Sequence, residues 1–360
     1  MNIAIAGGGS IGTQFAVHCA EKRHSVIIYT SNPTAFYNKL CTVNENNKIT
    51  HIGEIQVATT DAAEAFARAD WIFVTVAQYR LAEIASIIFP YVKPGLKICL
   101  VPGTGGGECI FKKCIDRGAV IYGIQRVPAD SRILDYGKSV MTTKYIEQLH
   151  VAAFDPAHTE DCADLVSYLT GVPYVTMPNY LNLTLTPSNP ILNVSRLYTM
   201  FKDYDGSRPY IKIPLFYGEW DDESSETAFK CDEEISKIRS ALDMFDLSYV
   251  RSLQEYYECG SPGELTEKIR SIELFKEVPA PMAATGIGCI PNLTTRCFMN
   301  DFGFGLSVFI QIADFLGIDA VNMKTIMKWY MGLPDASLRE FNYRDYGINN
   351  IDDFIDFYKV

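Results

Sequence analysis

Three closely spaced glycines near the start of the chain have the arrangement needed to accommodate a phosphate group. Gly7, Gly9 and Gly12 follow a short apolar run and precede an amphipathic stretch. In such a strand–turn–helix unit the first glycine permits a tight turn, the second lets a pyrophosphate approach the backbone, and the third lets the helix pack against the strand. Ser10 and Ile11 open the helix, where free amides and the helix dipole favour negative charge. The pattern predicts that these five residues bind a dinucleotide.

The end of the second apolar run indicates which nicotinamide dinucleotide is bound. NAD is usually held here by an Asp or Glu that accepts hydrogen bonds from the ribose 2′-hydroxyl. This run ends in Tyr29, Thr30, Ser31 and Asn32, without a carboxylate. Hydroxyl and amide groups suit a 2′-phosphate that an acid would repel. We therefore predict NADP as the cofactor, held by Thr30 and Ser31, with NAD as the alternative. Flavin is disfavoured, because no second flavin-contacting segment follows.

Two further turns are candidates for the nicotinamide side of the cofactor. Val76 and Ala77 follow one buried run, and Gly103 and Thr104 open a glycine-rich turn after the next run. Open α/β sheets bind ligands at the carboxyl ends of their strands. Bare glycine amides suit an anion or a carboxamide. We expect all four residues to contact the cofactor, and a flexible turn without a ligand is the alternative for the glycine-rich segment.

The second half of the chain has two segments in which polar side chains interrupt helical spacing. One is the helix start at residues 186–198, and the other is residues 291–301, where Arg296 and Asp301 lie five positions apart. A guanidinium binds a substrate carboxylate through two parallel hydrogen bonds. The alternative is an Arg–Asp pair that only joins helices. In the first half, Gln125 or Arg126 is a further candidate for substrate contact because both follow a predicted strand.

These residues are predicted to lie on two kinds of element. Residues 2 to about 123 alternate short apolar runs with amphipathic stretches, which is typical of a parallel sheet with crossover helices. After Pro178 helical spacing dominates and strand-like alternation nearly disappears. We predict an α/β fold with a doubly wound, mostly parallel Rossmann-type sheet domain at residues 1–178. An α-helical substrate domain follows at residues 179–360, with the reaction site in the cleft between the two.

Composition narrows the classes of partner. The 360 residues have a net charge of −11, which argues against nucleic acid or an anionic membrane as a partner. Ten cysteines without CxxC pairs predict no metal site and a reducing compartment, hence the cytoplasm. No signal-peptide pattern and no apolar run of about 18 residues are present. We expect small-molecule partners and allow for a homodimer. The five histidines all lie at or before residue 158: His18, His24, His51, His150 and His158.

Four segments together resemble the octopine/nopaline (opine) dehydrogenase family over essentially the whole chain: the N-terminal glycine motif, the turn from Pro102 to Glu108, the Asn189-Pro190 helix start, and the segment from Thr295-Arg296 to Asp301. The resemblance implies an NAD(P)-dependent dehydrogenase that reductively condenses an α-keto acid with an amino acid. It implies that Arg296 binds the keto-acid carboxylate and that Asp301 pairs with a catalytic histidine.

The family's histidine position falls on Asn193. Asparagine exchanges no proton near neutral pH, whereas an imidazole beside a carboxylate does. Three interpretations are open. In the first, Asn193, natural or engineered, polarises the substrate carbonyl while water or Asp301 handles the proton. In the second, a histidine of the first domain, His150 or His158, reaches the cleft. In the third, the protein is a non-catalytic NADP-binding sensor. A ketopantoate-reductase-like enzyme is the rival class, but residues 179–193 contain no lysine to serve as its acid.

Overall fold

The computed structural model describes residues 1–206, 208–334, 336–337 and 339–360. The chain forms two compact units, unit 1 with Met1–Thr184 and Asp356–Val360, and unit 2 with Leu185–Ile355. Unit 1 therefore extends past the boundary placed at residue 178. The physical reason is packing, because the Tyr180 and Leu183 side chains lie against the backbone of two buried glycines of the sheet.

Unit 1 contains the strands β1 (Asn2–Ala6), β2 (Ser25–Tyr29), β3 (Lys39–Val43), β4 (Ile49–Glu54), β5 (Val57–Thr59), β6 (Trp71–Val74), β7 (Lys97–Leu100), β8 (Val120–Ile124), β9 (Ala129–Asp135), β10 (Ser139–Tyr145), β11 (Leu149–Ala153) and β12 (Tyr174–Thr176). Its helices are α1 (Ser10–Glu21), α2 (Ala62–Phe66), α3 (Leu81–Ile88), α4 (Gly107–Ile110), α5 (Lys112–Asp116), α6 (Thr159–Thr170) and α7 (Leu181–Thr184).

The main sheet has eight strands in the order β12-β11-β8-β7-β6-β1-β2-β5. Six neighbouring strands of this sheet pair with one another in parallel, in the spatial order β5-β2-β1-β6-β7-β8. This is the doubly wound order expected of a dinucleotide-binding fold. The pair formed by β8 and β11 is antiparallel. This arrangement confirms the predicted doubly wound, mostly parallel sheet. The strand order reverses between β1 and β6, which is where such sheets bind their ligands.

A second sheet, which the sequence analysis did not predict, has four strands in the order β4-β3-β10-β9. It packs against α1 at Gly53, where an added Cβ would lie 2.6 Å from the Val17 carbonyl oxygen. The helix that follows the glycine motif is therefore held between the two sheets. Its residues Gly12 to Cys19 are all buried.

Unit 2 is mainly helical, as predicted, with one short hairpin of β13 (Met282–Thr285) and β14 (Gly288–Pro291). Its helices are α8 (Ser188–Phe201), α9 (Asp222–Ala241), α10 (Leu253–Tyr257), α11 (Pro262–Ser271), α12 (Arg296–Asp301), α13 (Ser307–Phe315), α14 (Val321–Met331) and α15 (Ile351–Tyr358), whose end belongs to unit 1. A π-helical stretch, Phe302–Leu306, joins α12 to α13.

Within the described residues, no helix is both long enough and apolar enough to span a bilayer.

Candidate functional site

The glycine turn between β1 and α1 has the geometry expected of a phosphate cradle. Gly7 has a φ of +125°, a conformation that L side chains rarely adopt. A Cβ on Gly12 would lie 1.9 Å from the Gly7 carbonyl oxygen, so this position admits only glycine. A Cβ on Gly9 would meet no atom of the described residues within 4 Å. Ser10 and Ile11 begin α1, and Gly9, which precedes them, has no side chain to cap the helix start. The turn is therefore tight where it faces the protein and open where a pyrophosphate would lie.

The two hydroxyl residues after β2 differ in accessibility. Thr30 is buried, and its hydroxyl lies 3.5 Å from the Tyr136 hydroxyl. Ser31 is exposed. Ser31 is therefore the more accessible of the pair for a ribose phosphate. Tyr136 comes from the turn between β9 and β10, so sequence reasoning could not place it beside Thr30.

The turns that follow β6 and β7 are joined to each other. The Gln78 amide nitrogen donates to the Thr104 hydroxyl at 2.8 Å. On the first turn, Val76 and Ala77 follow the end of β6, and a Cβ on Gly7 would lie 3.2 Å from the Val76 side chain. The second turn ends with Thr104, Gly105 and Gly106 directly before α4. The strand-end residues chosen from the sequence thus cluster at one edge of the sheet.

Gly103 departs from our expectation of a bare amide. Its N–H donates to the Ile124 carbonyl oxygen at 2.9 Å. A Cβ on Gly103 would lie 2.7 Å from the Gly123 Cα, so the residue permits close packing inside the sheet. Contact of Gly103 with a cofactor stays a prediction, but its amide is already used. Gln125 and Arg126 directly follow β8, and the Gln125 N–H donates to the His150 carbonyl oxygen on β11.

In unit 2, the structure brings Asn193 and Asp301 together although 108 positions separate them. The Asn193 Nδ2 donates to the Asp301 Oδ2 at 2.7 Å. The Tyr217 hydroxyl donates to the Asn193 Oδ1 at 2.9 Å. Asn193 and Asp301 are 4% and 8% exposed. The three side chains form a continuous hydrogen-bonded chain that fixes the orientation of the amide.

Close backbone approach between α8 and the π-helical stretch makes this contact possible. A Cβ on Gly305 would lie 2.5 Å from the Pro190 Cβ at the start of α8. Asp301 ends α12 and directly precedes the π-helical turn. Such turns occur often at functional sites because they re-aim neighbouring side chains. Pro190 therefore has a structural role here, as it seats α8 against the segment that carries Asp301.

Tyr217, which the sequence analysis missed, is positioned by a buried arginine. Arg196 donates from Nε to the Phe216 carbonyl oxygen at 2.9 Å and from Nη2 to that of Glu219 at 2.5 Å. Its Nη1 lies 2.7 Å from an Asp221 carboxylate oxygen. The guanidinium thus holds both sides of the turn that carries Tyr217. Tyr217 lies between α8 and α9, where no periodic sequence pattern marks a side chain as functional.

Burial is the main cause of the pKa shifts of Asp301 and Tyr217 at the candidate site. It raises the pKa of Asp301 from 3.8 to about 6, and the Asn193 hydrogen bond and the nearby Arg296 charge partly oppose that rise. Burial also raises the pKa of Tyr217 well above its ordinary range. Arg296 is exposed at the first position of α12. The site therefore pairs a carboxyl group that titrates near neutrality with an accessible guanidinium in the same helix.

The histidines of α1 and β4 form a separate cluster in unit 1. The Tyr145 hydroxyl lies 2.9 Å from the His18 Nε2, and the His51 Nδ1 lies 2.8 Å from a Glu21 carboxylate oxygen. Ligand atoms of His18, Glu21 and His51 lie within 4.8 Å of one another. Burial lowers the pKa of His18 to about 4, so the ring is neutral. Because these groups already pair with each other and with Tyr145, we assign them to the packing of α1 against the second sheet.

Both halves of the chain match known families. Residues 176–333 match the family described as NAD/NADP octopine/nopaline dehydrogenase, alpha-helical domain. Residues 3–133 match the family described as ketopantoate reductase PanE/ApbA. The two matches divide the chain much as the two units do. The helical half, which the ketopantoate reductase match does not reach, is therefore the half that distinguishes the two enzyme classes considered from the sequence.

Relatives and solved structures extend the similarity over nearly the whole chain. The chain is 25% identical over 330 residues to tauropine dehydrogenase of Arabella iricolor, covering 83% of each chain. It is 24% identical over 359 residues to opine dehydrogenase of Arthrobacter sp. strain 1C, covering 94% of this chain and 92% of that one. Octopine dehydrogenase solved with NADH and L-arginine superposes with a TM-score of 0.84 at 20% identity, covering 98% and 97% of the two chains. At that identity the superposition shows a shared fold.

Proposed function

Because the chain belongs to the opine dehydrogenase family, we propose that it reductively condenses an α-keto acid with an amino acid, with NADPH as the reductant. The keto carbon and the amino nitrogen join with loss of water, and a hydride and a proton reduce the C=N bond to a secondary amine. The observation that carries the proposal is the buried chain Tyr217–Asn193–Asp301, with Arg296 at the other end of the Asp301 helix.

Arg296 is the residue we assign to the keto-acid carboxylate. Arg296 is exposed and is the first residue of α12, so its guanidinium is accessible to an anionic ligand. Two parallel hydrogen bonds from a guanidinium fix both the position and the orientation of a carboxylate. Fixed orientation at the reacting carbon is a large part of the rate gain in two-substrate reactions. The name tauropine dehydrogenase and the L-arginine ligand of the octopine enzyme support an amino compound as the second substrate.

In this proposal Asn193 and Asp301 together take the catalytic role that a histidine has in the family: Asn193 binds the substrate carbonyl and Asp301 supplies the proton. The Asn193 amide donates one N–H to Asp301 and accepts from Tyr217, and it carries a second N–H. We assign that second donor to the substrate carbonyl oxygen. Asp301, with a pKa of about 6, supplies the proton directly or through water. General acid–base catalysis contributes about 10²–10⁴-fold, so a site with asparagine in place of histidine is expected to turn over slowly.

NADPH supplies the hydride, and residues of unit 1 would hold it. The open Gly9 position and the uncapped start of α1 fit a pyrophosphate. The exposed Ser31, with no carboxylate between residues 29 and 32, fits a 2′-phosphate better than a bare ribose. Fluorescence titration should give a lower Kd for NADPH than for NADH, and Ser31→Asp should reverse that order. Tighter NADH binding by the unaltered protein would contradict the NADP assignment.

The proposed reaction is tested by NADPH oxidation with pyruvate and a panel of amino acids. We expect slow turnover by the protein itself and a gain of about 10²–10⁴-fold in kcat for Asn193→His, because an imidazole beside Asp301 can exchange a proton. Ser240→His, at an exposed position on α9, controls for the addition of a histidine to unit 2. NADPH binding without turnover by any of the three proteins would refute the reaction and favour an NADP-binding sensor.

A further inference from the structure

A buried carboxyl group lies beside the glycine-rich turn and has no place in the mechanism above. Glu108 is fully buried at the second position of α4. Its Oε1 accepts a hydrogen bond from the Thr184 hydroxyl at 2.5 Å and a second hydrogen bond from the Tyr358 hydroxyl. Its Oε2 has no hydrogen-bond partner among the described residues. A buried carboxyl group is costly, so its retention at this position calls for an explanation.

The two residues that donate to Glu108 lie at the points where the chain leaves unit 1 and returns to it. Thr184 is the last residue of the first segment of unit 1, directly before the chain enters unit 2. Tyr358 lies two residues after the point at which the chain returns to unit 1. Both side chains are buried, with 2% and 6% of their surfaces exposed. One oxygen atom of Glu108 therefore holds both segments through which the chain leaves and re-enters unit 1.

Glu108 also anchors the turn that precedes it. Gly105 and Gly106 have φ values of +79° and +70°, so the turn is built from residues with few intrinsic restraints. Thr104 on this turn accepts a hydrogen bond from Gln78 after β6. The turn is thus fixed at one end by Gln78 and at the other by the Glu108 carboxyl group. Thr104, one of the residues we expect beside the nicotinamide, lies at the first of these two anchors.

We propose that Glu108 is a positioning residue that, through Thr184 and Tyr358, fixes the glycine-rich turn relative to the two connecting segments and so sets the placement of the nicotinamide for hydride transfer. The proposal rests on the proposed function for its effect on catalysis. Its structural part, the anchoring of the turn by Thr184 and Tyr358, stands without it. Small displacements of reacting groups reduce rates strongly, whereas the pyrophosphate contacts that dominate nucleotide binding lie elsewhere, at the start of α1.

The kinetic test removes the donors one at a time without changing their size. Tyr358→Phe and Thr184→Val should each lower kcat by roughly 10- to 100-fold, while the Kd for NADPH stays within about twofold. Thr184→Ser, which keeps the hydroxyl, should restore most of the rate. Tyr145→Phe removes a hydroxyl contact with His18 elsewhere in unit 1 and is the matched control. Unchanged kcat in both variants, or a loss no larger than that of Tyr145→Phe, would overturn the proposal.

Hydrogen-exchange mass spectrometry tests the anchoring without any need for turnover. Tyr358→Phe and Thr184→Val should speed amide exchange in peptides covering residues 101–110 by about fivefold, with no change at residues 10–21. Unchanged exchange at residues 101–110 would overturn the anchoring itself. If the protein turns over no substrate pair but exchange at the turn increases, the proposed reaction fails and the anchoring role of Glu108 stands.

Discussion

Replacing Asp301 by asparagine should stabilise the protein while removing its proposed proton donor. Burial raises the pKa of this carboxyl group from 3.8 to about 6. The folded state therefore binds the proton roughly a hundredfold more tightly than the unfolded state does. A tenfold difference in proton affinity is worth about 1.4 kcal/mol, so the ionised form costs the folded state about 3 kcal/mol above pH 6.

The sign of this effect sets the pH dependence. Because the folded pKa lies above the unfolded one, the stability of the protein falls as the pH rises through the window from about 4 to 6. Asparagine at position 301 can still accept the Asn193 hydrogen bond but carries no charge. Asp301→Asn should exceed the unaltered protein in free energy of unfolding by about 3 kcal/mol at pH 8. At pH 5, where the folded carboxyl group is mostly protonated, we expect roughly half that difference.

Urea denaturation followed by tryptophan fluorescence measures this difference. Trp220 and Trp329 report on unit 2, and Trp71 reports on unit 1. Asp243→Asn, at an exposed position of unit 2, is the control and should change the free energy of unfolding by less than about 0.5 kcal/mol at either pH. A difference between Asp301→Asn and the unaltered protein that is constant from pH 5 to 8 would refute the argument that burial perturbs this carboxyl group.

Three further outcomes follow from the two units. Gly9→Ala should change the free energy of unfolding by less than about 0.5 kcal/mol but raise the Kd for NADPH at least about tenfold, whereas Gly12→Ala should lower the free energy of unfolding by at least about 2 kcal/mol. If the two variants had equal effects in denaturation and in NADPH titration, the roles assigned to the two glycines would be contradicted. Arg296→Ala should raise the KM for the keto acid roughly 10- to 100-fold and leave that for NADPH unchanged, and equal changes in both would remove Arg296 from the substrate role. Tyr217→Phe should lower kcat about fivefold without changing the KM for NADPH, because Asn193 loses one orienting hydrogen bond; an unchanged kcat would show that this bond is dispensable.

The parts of the fold that could be predicted are those in which a local pattern determines the structure. The glycine turn is such a case, since Gly7 has a φ of +125° and a Cβ on Gly12 would lie 1.9 Å from the Gly7 carbonyl oxygen. The four-stranded sheet was missed because its members β3 and β10 lie far apart in the chain. Their parallel pairing depends on tertiary contacts that no local pattern encodes.

The candidate site divides in the same way. The pairing of Asn193 with Asp301 was inferred from the resemblance to a family, because nothing in their neighbouring residues shows that they meet across 108 positions. Tyr217 was missed because its place depends on the Arg196 contacts with neighbouring backbone carbonyls. Gly103 was given an open amide because a glycine-rich turn looks the same in sequence whether its N–H groups face a ligand or a neighbouring strand.

The return of residues 356–360 to unit 1 affects the order in which the protein can be completed during synthesis. The ribosome makes all of unit 2 before it adds Phe357, which packs on Phe154 with ring centroids 4.7 Å apart, and Tyr358, which donates to Glu108. Of the two units, unit 1 therefore begins earlier in the chain and is completed later. A recombinant fragment ending at Thr184 would lack both contacts. A single cut in the chain therefore cannot separate the two units with unit 1 complete.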